Sequence, residues 1–172
     1  MINTRQMKTF SKWFDHYLRW QEHFCNTMLI ALGLAMTLLI LLQVFFRFVV
    51  YVPFPWSEEC ARYLMIWMGM LGSALALQKG RHIGVTMVME KLPEKWHKAM
   101  TLFVQLATIG FLSVLFYQGI QFALFNQGQS SPALEISMLV PYLSLPVGSA
   151  MMILVIAGDI LHTFFPANTV LG

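Results

Sequence analysis

Apolar residues fill four long stretches of this chain, and polar residues collect in the gaps between them. The first, 24–50, is interrupted by Asn26, Thr27, Thr37 and Gln43 before Arg47 marks its outer end. The second is 59–77, the third 94–125 and the fourth 138–162. At about 1.5 Å per residue each predicts a helix long enough to cross a hydrocarbon core of about 30 Å. Ahead of them, residues 4–23 show a different rhythm. Phe10, Trp13, Phe14, Tyr17, Leu18 and Phe24 recur at three- and four-residue spacing, with Lys12, Asp15, Arg19 and Glu22 on the other faces. That stripe predicts an amphipathic helix lying in the headgroup layer, since no soluble domain is present for it to face. Residues 83–92, between the second and third spans, are apolar enough to graze the membrane surface. The expected fold is therefore all-α and integral to the membrane. It comprises four transmembrane helices, an interfacial helix before them and an interfacial 2–3 connection, in one domain covering 1–172.

The ends of these elements are marked. Pro53 and Pro55 make the first turn extended, with Tyr51, Phe54 and Trp56 as an aromatic belt. Ser57 is placed to cap the second span, and Glu58 and Glu59 fall in its first turn, where the helix dipole favours negative charge. Glu58 and Arg62 are four apart and able to pair. Gly69, Gly72, Ser73 and Ala76 give this helix a smooth side on which another membrane helix could pack closely. Pro93 suits the first turn of the third span, Asn126–Pro132 reads as a polar turn, and Pro141 and Pro146 lead into the fourth span.

Composition agrees with a bilayer protein: of 172 residues, 58% are hydrophobic and 11% charged, less than half the usual charged share of a soluble domain. The basic start is followed by an apolar run too long for a cleaved signal peptide, so the first span is expected to remain. Cys25 and Cys60, 35 apart, form neither a disulfide framework nor a zinc knuckle. Cations are distributed unevenly. Four lie in the amino-terminal segment (Arg5, Lys8, Lys12, Arg19) and five in 78–98 (Lys79, Arg81, Lys91, Lys95, Lys98), against Arg47 and Arg62 on the opposite side. The positive-inside rule then puts both termini and the 78–98 loop in the cytoplasm. Trp13, Lys79, Arg81 and His82 become candidate anchors at that surface.

The spans lack the chemistry of a transport or catalytic site. Every Asp, Glu, Lys and Arg lies within about two turns of a span end, whereas transporters place ionisable groups or broken helices near the midplane. The interior polar residues Gln43, Gln105, Gln118, Thr37, Thr108 and Ser113 read as helix–helix hydrogen bonders. His16, His23, His82, His97 and His162 sit at or beyond span ends, unlike haem ligands, and no His-Glu-x-x-His occurs. No enzyme activity, cofactor, metal or nucleic-acid partner is expected. The cluster of Arg47, Trp56, Glu58, Glu59 and Arg62 could hold the first two spans together or receive a partner at the outer surface. A helical membrane protein with no site of its own exists, on this reading, to hold another chain. The competing readings are a stand-alone four-helix adaptor or small channel, and a redox subunit.

Particular residues then carry a resemblance. Phe46-Arg47-Phe48, Trp56-Ser57-Glu58-Glu59-Cys60-Ala61-Arg62-Tyr63-Leu64, Ile66-Trp67, Leu71-Gly72 and Lys79-Gly80-Arg81-His82-Ile83-Gly84-Val85 resemble the DctQ-like small membrane subunit of tripartite ATP-independent periplasmic (TRAP) transporters. Ser131-Pro132-Ala133-Leu134, Pro141-Tyr142 and Leu145-Pro146-Val147-Gly148 are similar to that family's entry into its last helix. The likeness covers about residues 20–162, with Cys60 where an aliphatic residue is expected. It implies a soluble periplasmic binding protein that captures an organic acid such as a C4-dicarboxylate or a sialic acid. It implies also a larger membrane subunit that moves the acid with coupling cations, commonly Na⁺. The small subunit would serve as static scaffold and part of the docking surface. The chain's end at Gly172 leads to the expectation that the large subunit is a separate polypeptide. The implied docking face is Arg47, Trp56, Glu58, Glu59 and Arg62 with the 126–135 loop, and the implied close-packing face Gly69, Gly72, Ser73 and Ala76.

Overall fold

The computed structural model describes residues 4–52, 55–80 and 94–164, so Arg81, His82 and the expected interfacial segment 83–92 lie outside it, as does the side chain of Trp13. The described elements are helical: α1 (Thr4–Phe45), a π-helical turn (Phe46–Val50), α2 (Pro55–Gly80), α3 (Glu94–Phe125), a single turn α4 (Leu139–Tyr142) and α5 (Ser144–Phe164). Four stretches are long and apolar enough to cross a membrane: His16–Val50, Pro55–Gly80, Ala99–Phe125 and Leu139–Ile160.

The separation expected between an interfacial helix and the first span is absent. α1 runs through both as one helix, because no proline interrupts it and its one glycine, Gly33, lies well past the expected junction. Its 42 residues extend about 63 Å, roughly twice the hydrocarbon thickness, so part of α1 leaves the hydrocarbon or the helix leans. The amino-terminal stripe also divides. Leu18, Gln21 and Cys25 are buried, at three- and four-residue spacing. Tyr17, Trp20 and Phe24 form an aromatic ladder on another face, with centroids 6.3 and 5.6 Å apart and Trp20 and Phe24 exposed. The start of α2 differs as well. The helix begins at Pro55, whose fixed φ suits a first turn, so Ser57 sits inside the helix rather than at its cap and is fully buried.

The helices form a row rather than a closed bundle. α1 packs on α2, α2 on α5 and α5 on α3, while no extensive contact joins α1 or α2 to α3 among the described residues. α1 and α2 run antiparallel in a fixed register, from Gln43 at Glu58, through Leu29 beside Gly72, to Glu22 at Lys79. α3 and the α4–α5 segment are antiparallel too, with the Phe122 and Tyr142 rings edge to face at 4.7 Å. The seam between these hairpins is the parallel pair α2–α5. There Gly148 lies so close to Met70 that a Cβ on it would come within 2.8 Å of the Met70 Cβ. Close approach of this kind is what glycine permits in membrane helices. It recurs at Gly158, against Phe14 and Leu18, and at Gly119, against Leu145 and Pro146.

Candidate functional site

At the end of the row that holds Pro55, three elements meet: the first two turns of α2, the 126–138 connection and α4. The connection is a built loop, not a loose polar turn. Ser131 and Ile136 share a backbone hydrogen bond of 2.8 Å, Ser130 and Ser137 form an antiparallel bridge, and Ser137 Oγ donates to Gln127 O at 2.7 Å. Glu135 adopts a left-handed φ of 56° to close it. The loop presents successive N–H groups of Ala133 and Leu134 to one carboxylate oxygen of Glu59, at 2.8 and 2.9 Å. The Tyr63 hydroxyl donates to the other oxygen at 2.5 Å, with the Met138 sulfur 3.4 Å from the same hydroxyl. Glu59 is thereby buried with its charge met by three donors, which is how a carboxylate tolerates removal from water.

Glu58, one position earlier, points elsewhere. Its Oε1 accepts a 3.0 Å hydrogen bond from Gln43 Nε2, which ties α2 to α1. The expected Glu58–Arg62 ion pair is not formed. Among the described residues the ion pair is Lys79–Glu22, 3.9 Å apart at the opposite end of the row. Glu58 has been turned to helix α1 and Glu59 captured by the loop, which leaves Arg62 exposed on the lip of a cavity. That cavity, of about 370 Å³, is lined by Glu58, Glu59, Arg62, Tyr63, Ile66 and Tyr142 among others. The structure thus brings Glu58, Glu59 and Arg62 to one place. Arg47 and Trp56 are not part of its lining. Arg47 lies in the π turn with its guanidinium 5.7 Å from the centre of the adjacent Phe48 ring, and Trp56 is partly exposed.

The proposed smooth face of α2 separates into two. Gly72 looks at Leu29 of α1 at 3.8 Å, while Gly69 meets nothing within 4 Å and Ser73 and Ala76 are exposed. The interior hydroxyls likewise serve their own helices. Thr37 donates to Gly33 O and Thr108 to Val104 O, each at 2.8 Å, as a hydroxyl facing an apolar surround does when an i−4 carbonyl is within reach. Of that set Gln43 links two helices. Two amides that the sequence did not single out do the same at the other end: Gln78 Nε2 donates to Leu18 O at 2.8 Å and Gln21 Nε2 to Met151 O at 3.2 Å. For Gln78 the available signal was an amide on the last turn of an apolar helix. The amides of 133–134 were also missed, because they meet Glu59 across more than seventy residues, and so was Tyr63, although its spacing of four from Glu59 was a visible signal.

Among the described residues no group of three or more His, Cys, Asp and Glu side chains could hold a metal ion. The arrangement orders a loop and offers exposed charge to a neighbour. Residues 36–165 match the family described as "Tripartite ATP-independent periplasmic transporters, DctQ component". The sialic acid TRAP transporter small permease protein SiaQ of Vibrio cholerae is 35% identical over 118 residues, 64% of this chain and 64% of that protein. The C4-dicarboxylate TRAP transporter small permease protein DctQ of Rhodobacter capsulatus is 28% identical over 99 residues, 56% of this chain and 44% of the relative. The isethionate TRAP transporter permease protein DctMQ of Oleidesulfovibrio alaskensis is 26% identical over 167 residues, 90% of this chain and 26% of that protein. The matches span less than two thirds of the length of each of these relatives.

Proposed function

Since this chain belongs to the DctQ component family of the tripartite ATP-independent periplasmic transporters, a family of multi-pass permease subunits and not of enzymes, we propose that it braces the large membrane subunit of such a transporter and helps dock the periplasmic binding protein. The observation that carries this reading is the row of helices. With α3 making no extensive contact with α1 or α2, the helices enclose no central pathway among the described residues, and the edges α1 and α3 keep long apolar surfaces, from Ile30 to Phe45 and from Phe103 to Phe125, for lipid or another chain. The relative named DctMQ is a protein of which this chain matches 26%, which leaves length for a larger permease part.

The cargo on this reading is an organic acid, the class shared by the sialic acid, C4-dicarboxylate and isethionate in the relatives' names. Its uptake is coupled to a cation, probed first with Na⁺. Lys79 lies beside Glu22 at the end opposite Arg47 and Arg62, a polarity that supports cytoplasmic termini under the positive-inside rule. The docking face comprises Arg47, Trp56, Glu58, Glu59, Arg62 and the 126–135 loop.

Affinity purification of this chain from membranes is expected to bring down a larger membrane protein. Proteoliposomes with both, supplied with binding protein and an Na⁺ gradient, should take up the acid. Uptake by vesicles containing this chain alone, or its isolation without a membrane partner, overturns the scaffold reading.

A further inference from the structure

The cavity beside α2 has a charge pattern that the fold alone does not require. Glu58 and Arg62 lie one helical turn apart and both line it, yet no ion pair joins them. Glu59 is committed to the loop and Tyr63, and one oxygen of Glu58 to Gln43. That leaves the second Glu58 oxygen and the Arg62 guanidinium as charged groups of a lining that also includes the apolar Ile66, Met138 and Pro141.

We propose that this cavity holds the headgroup of a zwitterionic amine phospholipid, its phosphate on Arg62 and its ammonium on Glu58. Depth supports the assignment. α2 has 26 residues, about 39 Å of helix, close to the roughly 40–45 Å of a bilayer with its headgroups. The first two turns of α2 then lie at headgroup level, with Glu58 nearer the water than Arg62. A phospholipid has the same order, the phosphate next to the hydrocarbon and the amine outside it. The guanidinium fork suits phosphate oxygens, and a primary ammonium donates the hydrogen bonds that a carboxylate accepts, which a trimethylammonium cannot. Two carboxylates against one guanidinium also disfavour a headgroup with net negative charge. Below Arg62 the same face of α2 continues as Met65, Gly69, Ser73 and Ala76, all exposed, with open space over Gly69. An acyl chain fits along that shallow track. The volume of about 370 Å³ is within the ordinary range of small-ligand sites, about 300–1,000 Å³.

The assignment requires only that α2 spans a bilayer. It stands apart from the scaffold and docking reading, because it is measured without binding protein present. The full chain, extracted with whatever membrane protein copurifies, is exchanged into dioleoyl phosphatidylethanolamine, phosphatidylcholine or phosphatidylglycerol and examined by native mass spectrometry. Retention of one phosphatidylethanolamine over the other two is expected. Arg62→Gln should lower that retention about tenfold, the effect of losing one charge-assisted contact. Glu58→Gln, which keeps an acceptor for Gln43, should erase the preference over phosphatidylcholine. If Arg62→Gln does not yield folded protein, Ile66→Trp, which fills the cavity, must abolish retention. Equal retention of all three lipids, retention unchanged in the variants, or density for a protein side chain in the cavity overturns the proposal.

Discussion

A carboxylate withdrawn from water needs donors on both oxygens, and Glu59 finds one in Tyr63, a turn along its own helix, and the others in a loop more than seventy positions away. Removing the carboxylate therefore acts on the loop first. In Glu59→Ala the 131–135 segment should loosen, seen as faster maleimide labelling of Leu134→Cys in a background lacking Cys25 and Cys60. Glu59→Gln is expected to fall between, since one amide oxygen can still accept from the loop. An unchanged labelling rate in Glu59→Ala would count against the latch. Glycine substitutions separate two surfaces that look alike in sequence. Gly148→Ala drives a methyl into Met70 and should cost about 1–3 kcal/mol in thermal or denaturant unfolding. Gly69→Ala meets nothing within 4 Å and should be neutral or slightly stabilising by helix propensity. The sequence directed attention to Gly69 and Gly72, because small residues at regular spacing are visible there. Gly119, Gly148 and Gly158 show no such pattern. Their importance comes from the bulk of the facing residue, which no single sequence displays.

At the scale of elements, the four spans were legible because each carries an apolar run that only a bilayer-spanning helix accommodates. The pairing of Glu58 was misread for a definite reason. An i,i+4 rule looks along one helix, whereas Gln43 reaches across from the next one. The join between the amino-terminal segment and the first span was also misread: a change from amphipathic to uniformly apolar pattern marks a change of surroundings, not a break in the helix. Gln78 and Gln21 pin that long helix to α2 and α5. Each leaves its Oε1 buried without a partner, so an apolar isostere removes an orphan along with the bond. Gln78→Met is expected to cost under about 1 kcal/mol, and Gln78→Ala, which leaves a void, distinctly more. The two variants unfolding at equal temperature would contradict this account.

For the molecule as a whole, the order of helices in the row was the least legible feature. Lipid-facing, partner-facing and neighbour-facing apolar residues share one alphabet, so composition specifies spans without specifying which spans touch. Cysteine pairs with a short bismaleimide test the arrangement. Gln43→Cys with Glu58→Cys should cross-link efficiently, and Leu34→Cys with Phe111→Cys, on the two outer helices, should not. Efficient cross-linking of the second pair within one chain would indicate a closed bundle.

The parallel seam between α2 and α5 has one more consequence. The two hairpins join chiefly along this seam, helped by Gln21 on Met151 O and by the Glu59 contact with the 133–134 loop. The protein is thus built as two modules. Fragments 1–90 and 91–172, made from separate transcripts, should find each other in the membrane and restore a pull-down signal, and Gly148→Leu should abolish that reunion while each fragment still inserts.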